Sequence, residues 1–577
     1  MQCPMGGTES KAAAVIDFHK TLNEISSHSS PSSDGSLTTS FLRRRNHRAV
    51  PSHCKPVHSP ERALLRSLTQ RSGCSGGKYT QLTIRFSLSE SLTTLMRHQM
   101  LFQATCKFFR NPANFPPDTA LPLPELAAYD MCRQRAMCKP MKDEEMEALK
   151  RRCGGSWKLV LGYVLVGEKN YRREKPHVVA GSGHSIVVTA NGEVYSFGAN
   201  SLGQLGLGDT EDQHKPCLIR SLQGIRMTQA AAGARRTMLV SDKGSVYTFG
   251  HDILGWEDTT KSASVSHNSS PKLVESLNGV FVVQASIGGY FSAVLSREGH
   301  VYTFSWGRDN KRLGHNSDPV DVEPRLLSGP HGDAPVAQIA AGNCYLLMLV
   351  YQPTGMSVYS LGCGMGGKLG HGNKVNEGIP KLIEYFQAPD RRPASISAGA
   401  FHAAVLGRDE RVYTWGWSTF GCLGHHHDPN DEAEDEDEEC VTAPMAVPGL
   451  FSVKAVHVSA GRYTTFVVAD NGDVYSFGWG TSLNLGFQDN TGDVLAPKVV
   501  TSLAGLDEKV VQISATHSYD WHNEGAGLAH SHTMVLTESG KLYTFGGASK
   551  GQLGLSLKLA EGQTAVALPS RVAVDLV

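Results

Sequence analysis

No apolar run in the 577 residues approaches the roughly 18 needed to cross a bilayer as a helix; the longest, such as Leu159–Val166, is broken by Gly162. No C-x-x-C pair occurs among the twelve cysteines, and the nearest pair, Cys132 and Cys138, has no matching second pair. Neither a zinc site nor a disulfide framework is predicted, and reduced thiols in the cytoplasm or nucleus are expected. Net charge is also lacking, with 55 Lys and Arg against 55 Asp and Glu, which excludes a globally basic nucleic-acid binder. The balance hides an asymmetry: residues 1–120 hold 15 basic against 7 acidic side chains, and the rest of the chain holds 40 against 48. Met1-Gln-Cys-Pro-Met-Gly-Gly carries no apolar segment of a secretory signal. Glu9, Asp17, Glu24 and Asp34 argue against a transit peptide without closing the question of organelle import.

Glycine is present in excess, 60 residues, above the usual roughly 7%. Its placement follows a repeat. Val194-Tyr-Ser-Phe-Gly198 returns as Val246-Tyr-Thr-Phe-Gly250, Val301-Tyr-Thr-Phe304, Val358-Tyr-Ser-Leu-Gly362, Val412-Tyr-Thr-Trp-Gly416, Val474-Tyr-Ser-Phe-Gly478 and Leu542-Tyr-Thr-Phe-Gly546. The tyrosines are spaced by 52, 55, 57, 54, 62 and 68 residues. Such a period without helical patterning marks a propeller or solenoid. Before each tyrosine lies an apolar run, as in His184–Thr189 and Thr464–Ala469, separated from it by a turn pair such as Asn191-Gly192 or Asn471-Gly472. Asn-Gly supplies the positive φ angles of a tight hairpin.

After a glycine-rich turn each unit continues with a proline and a short apolar strand, for example Pro216-Cys-Leu-Ile or Pro497-Lys-Val-Val. Proline at a strand start forfeits no ladder bond. A final strand, such as Thr228–Ala232 or Lys454–Ala460, leads to the next apolar run. Four short strands in seven units predict an all-β, seven-bladed β-propeller over residues 176–577. Residues 569–577 read as the Pro-strand of a unit whose missing half is supplied by residues 177–189, so a shared blade is expected to close the ring.

The repeat A-x-G-x-x-H-[ST] … G-x-[VL]-Y-[ST]-[FW]-G-x-x-x-x-G-x-L-G resembles the regulator-of-chromosome-condensation repeat family over about 70% of the chain. Gly198-Ala-Asn-Ser-Leu-Gly-Gln-Leu-Gly-Leu-Gly-Asp is similar to the plant branch that includes the ultraviolet-B receptor. The resemblance implies the propeller and leaves three roles open, because one scaffold hosts several.

Residues 1–118 read as a mostly disordered tail, with a serine tract at Ser26–Ser40 and a basic cluster at Arg43-Arg44-Arg45 and Arg48. That cluster reads as an import or phosphate-contacting patch, or as a plain solvated tail. Residues 119–175 read as a helical cap: Leu126, Tyr129, Cys132 and Ala136 follow a helical period, Pro140 breaks it, and Asp143-Glu144-Glu145 opens a second helix. For Trp157–Val166 periodicity leaves helix and strand equally open.

Two catalytic motifs fail their own context. Gly362-Cys-Gly-Met-Gly-Gly367 matches a dinucleotide fingerprint, yet Lys368-Leu-Gly-His371 continues a repeat turn instead of opening a helix. Gly547-Ala-Ser-Lys-Gly551 matches a nucleophile elbow but occupies the same turn in the last unit. No P-loop, catalytic residue, cofactor or metal site is predicted, and the chain is read as a non-catalytic binding protein.

The most individual segments are loops. His425-His426-His427 leads to Asp431, Glu432, Glu434, Asp435, Glu436, Asp437, Glu438 and Glu439. A second insertion places Asp520, Trp521 and His522 among His517 and His530. Both read as partner-binding loops rather than metal sites. The expected function is a protein-interaction platform, monomeric, without membrane or sequence-specific nucleic-acid contact, whose partner is a protein such as a small GTPase or a chromatin-associated protein. Guanine-nucleotide exchange on a Ran-like small GTPase is the alternative that the resemblance implies. Ultraviolet-B reception ranks third: the positions matching that receptor's tryptophans are Ser182, Ala234, Gly289, Asn343, Ala400, Arg462 and His517, with no indole among them. Trp306, Trp415, Trp417 and Trp479 sit elsewhere in the repeat and are expected to serve the core.

Overall fold

The structure, a computed structural model, describes residues 122–577 apart from 172–174, 252–266, 306–322, 330, 426–439, 489–491, 507, 519–529, 556–563, 575 and 577. The expected tail at 1–118 lies outside the described residues. The strands pair into seven four-stranded antiparallel sheets, each a continuous stretch of chain, as a seven-bladed propeller requires. Blade one is built from β1 (His177–Ala180), β2 (His184–Val188), β3 (Val194–Gly198) and β4 (Gln213–Leu218), paired in that order. The remaining blades occupy 227–273, 282–326, 336–382, 393–446, 455–499 and 510–571.

The phase of the unit differs from the reading above. The strand taken as last in each repeat, Met227–Ala232 for example, opens the next blade and pairs with its apolar run. Strand order along the chain is the same in either phase, so the pattern alone does not say where one sheet ends. Burial does: Met227–Ala232 is buried throughout, whereas β4 has no fully buried residue and forms an outer edge. The prolines of the fourth strands also shift meaning. Pro216 lies inside β4, not at its start, beside a break in register between Ser196 and Gly198. Its missing N–H costs nothing on an edge.

Ring closure is a second correction. Ala565–Arg571 pairs with Leu542–Gly547 inside blade seven, and blade one is complete by itself, so no strand is shared between the two ends. The blades are joined instead by side chains of the first strands. The carboxamide of Gln229 donates to Ala285 O (3.1 Å) and accepts from Ala285 N (2.9 Å) on the next blade. Gln284 does the same to Ile339, Gln338 to Ile396, and Gln512 to Val178, which joins blade seven to blade one. Apolar clusters fill the wedges between neighbours, as where Met534 and Leu536 of blade seven meet Val178 and Val187 of blade one with Val572 and Leu576.

Among the described residues three helices precede the ring: α1 (Leu123–Gln134), α2 (Asp143–Arg152) and α3 (Trp157–Tyr171). Ala136 falls beyond the end of α1, and Trp157–Val166 is helical. Its start is held by Glu125, which accepts from Ser156 Oγ (2.8 Å) and Trp157 N (2.6 Å), a carboxylate at the positive end of a helix. Tyr163 of α3 donates toward Arg297 O (3.1 Å) and Val336 O (3.2 Å), and Arg297 pairs with Glu145 of α2 at 2.9 Å. The hairpin of blade four, Tyr345–Gln352 with Gly355–Gly362, is long enough to bring Tyr351 edge-on to Tyr163 at 5.9 Å.

Candidate functional site

Antiparallel order sends the first-to-second and third-to-fourth connections of every blade to one end of the ring, and the second-to-third hairpins to the other. The helices sit at the hairpin end, since Arg297, Glu298 and Tyr351 all belong to it. The strand ends that bound the long connections lie at the opposite end: His251 and His267, Ser305 and Arg325, and Trp417 and Cys440 flank those between third and fourth strands, and Ala515 and His532 flank the one between the first two strands of blade seven.

That face rests on a repeated lock. His402 Nε2 lies 2.8 Å from Thr465 Oγ1 of the following blade, and Thr465 donates to Cys422 O at 2.7 Å, back in the turn of the first blade. The hydroxyl proton is spent on the carbonyl, so the imidazole Nε2 is the donor. Burial holds its pKa down at about 3. His184 with Thr237 and Gln204 O, and His532 with Ser185 and Gln552 O, repeat the arrangement. Gly416 makes it possible: φ is +117°, and a Cβ there would meet Phe401 O and His402 Cα at 2.7 Å.

Around the axis five of the seven receptor-equivalent positions, Ser182, Gly289, Asn343, Ala400 and Arg462, donate backbone bonds to the next blade. Ser182 N reaches Gly233 O, Gly289 N reaches Asn343 O, Asn343 N reaches Ala400 O, and Arg462 N reaches Thr516 O. His517 spans the opening and donates from Nε2 to Ile287 O of blade three at 3.1 Å. These positions hold the ring together at its axis.

Of the residues singled out in the sequence, His425 is described. It is half-buried with Nε2 3.0 Å from Thr414 Oγ1 of its own blade, and burial lowers its pKa to about 4. His371 stands in the same relation to Ser360 in blade four, so His425 anchors the start of its loop. His426, His427, Asp431, Glu432, Glu434, Asp435, Glu436, Asp437, Glu438, Glu439, Asp520, Trp521 and His522 lie outside the described residues, as does Trp306. The loop ends are placed: Cys440 re-enters blade five opposite Trp417. The two motif decoys are turns; Gly366 and Gly367 both adopt positive φ, and no helix follows either motif among the described residues.

One feature of this face was missed. Phe401 stacks on Trp417 (5.5 Å, 22°) and on Tyr463 (4.8 Å, 15°), while Phe420 packs edge-on against Tyr463 at 5.2 Å and approaches Trp479 at 6.4 Å. Trp415 and Trp479 are buried as expected, whereas Trp417 is half-buried within this shelf. Its signal was in register: Phe401 and Tyr463 precede the lock position of blades five and six, and Trp417 and Trp479 each follow the glycine of the tyrosine strand.

Residues 168–520 match the RCC1-like domain family. Human E3 ubiquitin-protein ligase HERC2 is 28% identical over 353 residues, which is 60% of this chain but 7% of the ligase, so the chain spans a small part of that protein's length. The ultraviolet-B receptor UVR8 of Arabidopsis thaliana is 29% identical over 332 residues, 57% of this chain and 70% of the receptor. The crystal structure of Prp20p from Saccharomyces cerevisiae, studied for its binding to Gsp1p and histones, shares the fold with a TM-score of 0.51 at 21% identity, covering 66% of this chain and 86% of that one. With seven blades in the repeat register and the family match covering more than half of its length, the chain belongs to the RCC1-like domain family.

Proposed function

We propose that this chain is a non-catalytic protein-interaction platform whose partner docks on the face opposite the helices. The observation that carries this reading is topological: the long connections, the acidic run among them, leave and re-enter the blades at that one end, while the hairpin end carries tight turns, the shorter connections between blades such as 219–226 and 383–392, and α1–α3. A rigid scaffold that concentrates length variation on one face is the usual setting of recognition. Membership of the RCC1-like domain family supports a protein-interaction or regulatory role.

The test is a footprint. Hydrogen exchange of the full chain alone and with a captured partner is expected to slow at 199–212, 363–376 and 516–531 and to leave 220–226 and 297–299 unchanged. Protection confined to the hairpin end refutes the assignment. Guanine-nucleotide exchange is the alternative reading, and release of labelled GDP from a panel of small GTPases separates the two.

A further inference from the structure

We propose that the aromatic shelf shared by blades five and six is the seat of a cationic peptide, with a Lys or Arg side chain of the partner laid over Phe420. The inference rests on the interaction-face reading above and gives it a place and a chemistry.

Three observations converge. The first is the shelf itself. Phe401, Trp417, Tyr463, Phe420 and Trp479 form one continuous set of ring contacts, and Phe420 is its exposed member, at 37%. The set already accepts a cation from within: the buried Arg462 guanidinium lies 5.5 Å from the Tyr463 centroid. Ring faces carry negative charge density and attract a second cation from the solvent side in the same way.

The second observation is the backbone of Phe420, at φ +62°. The equivalent residue of blade four is Gly366, at φ +71°. A side chain at this angle costs free energy that glycine avoids, and Phe420 still leaves more than a third of its surface in solvent, at 37%. Keeping a ring there fits a contact made by the ring's outer face.

The third is charge. The sequence from 426 to 439 carries nine carboxylates. The residues on either side of it are fixed on blade five: His425 bonds Thr414, and Cys440 is the ladder partner of Trp417 of the shelf. A run of nine carboxylates between His425 and Cys440 disfavours phosphate-bearing ligands and favours basic ones. Met365, 54% exposed, and Leu495, 48% exposed, extend the apolar surface on either side, which suits a peptide chain better than a single small amine. Gly366 packs directly on the Trp417 indole and Gly421 on Leu495, so these residues are contiguous across blades four to six.

The test uses the full chain and a fluorescein-labelled twelve-residue peptide of alternating Arg and Gly, followed by anisotropy, with a Glu-Gly peptide as control. Phe420→Gly removes the ring, losing its packing on Tyr463 and Trp479 while relieving the backbone, so the melting temperature is expected to change little and is measured beside binding. Its affinity for the Arg-Gly peptide is expected to fall at least about fivefold, equivalent to about 1 kcal/mol. Replacing the acidic residues of 431–439 by Ser and Gly is expected to weaken binding and flatten its salt dependence. If the acidic replacement weakens binding and Phe420→Gly leaves it unchanged, the shelf is not the seat while the interaction-face reading stands. Equal binding of the Glu-Gly peptide, or no binding of the Arg-Gly peptide, overturns the proposal, and the hydrogen-exchange footprint then judges the face on its own.

Discussion

His402 shows how much a single repeated residue does in this ring. Its imidazole is fully buried, its Nε2 reaches Thr465 on the next blade, and its Nδ1 has no hydrogen-bond partner among the described residues. Truncating His402→Ala opens a cavity and removes the donor to Thr465; the expected loss is about 2–4 kcal/mol, read from chemical denaturation. The same locks set a pH dependence. His184 and His402 are held at about 3 and His532 at about 4, by burial first in each case, against an ordinary value of 6.5. Each is neutral when folded and takes up a proton on unfolding below pH 6.5. Stability is therefore complete above about pH 6.5 and falls as pH drops toward 4, by up to about 1.4 kcal/mol per pH unit for each histidine. Melting at pH about 7.5 and about 5 measures it, and an unchanged midpoint would contradict the buried neutral assignment. The histidine itself was legible as part of the repeat. Its purpose was not, because its partner belongs to the following blade, 63 residues later.

At the scale of elements, the join between helices and ring centres on Arg297. Its side chain is 8% exposed, pairs with Glu145 of α2 and with Glu298, and lies 4.6 Å over the Phe281 ring. Arg297→Ala is expected to raise hydrogen exchange across α2 and leave blades five to seven unchanged; uniform loosening of the ring would assign Arg297 to the propeller itself. The helices also bury thiols. Cys138 and Cys153 are pushed up to about 12 and Cys132 higher still, each by burial first. Thiolate is the reacting species, so all three should resist alkylation at neutral pH until the protein unfolds, while the half-buried Cys217 and Cys440 react first among the described cysteines. Peptide mapping after a short iodoacetamide pulse reads this out. The existence of each element was legible from turn pairs and apolar runs. The state of Trp157–Val166 was not, because an apolar run buried on several sides loses its period; a capping carboxylate 32 residues earlier, Glu125, settles it.

The whole molecule is a ring that must close without a shared strand. Closure rests on Gln512, which exchanges both carboxamide bonds with Val178, and on Val572 and Leu576, each 1% exposed, with Leu576 O accepting from Ala190 N at 2.9 Å. Gln512→Ala leaves the N–H and C=O of Val178 buried without those bonds, at an expected cost of about 2–4 kcal/mol. Ending the chain at Arg571 forfeits the burial of Val572 and Leu576, about 1.5–3 kcal/mol for each. Both changes should speed hydrogen exchange in 177–189 before any other blade. Exchange that rises equally in all seven blades would mean that the seam between blades seven and one is no weaker than the others.

Composition and repeat were enough to specify seven units, their hairpins and their glycine turns, because those features depend on residues a few positions apart. Asn191-Gly192 needs only local φ angles to form its turn, and an exposed-edge Pro216 needs only a missing donor. Tertiary structure alone decided where each blade begins, how the ring closes and which residues share a face. Met227–Ala232 joins the blade after it because its burial depends on the axis, and Gln512 meets Val178 across 334 residues of sequence. Phe401, Trp417, Phe420 and Tyr463 become one shelf by the same cause: contacts between neighbouring blades are fixed by the curvature of the ring, and no short-range pattern encodes curvature.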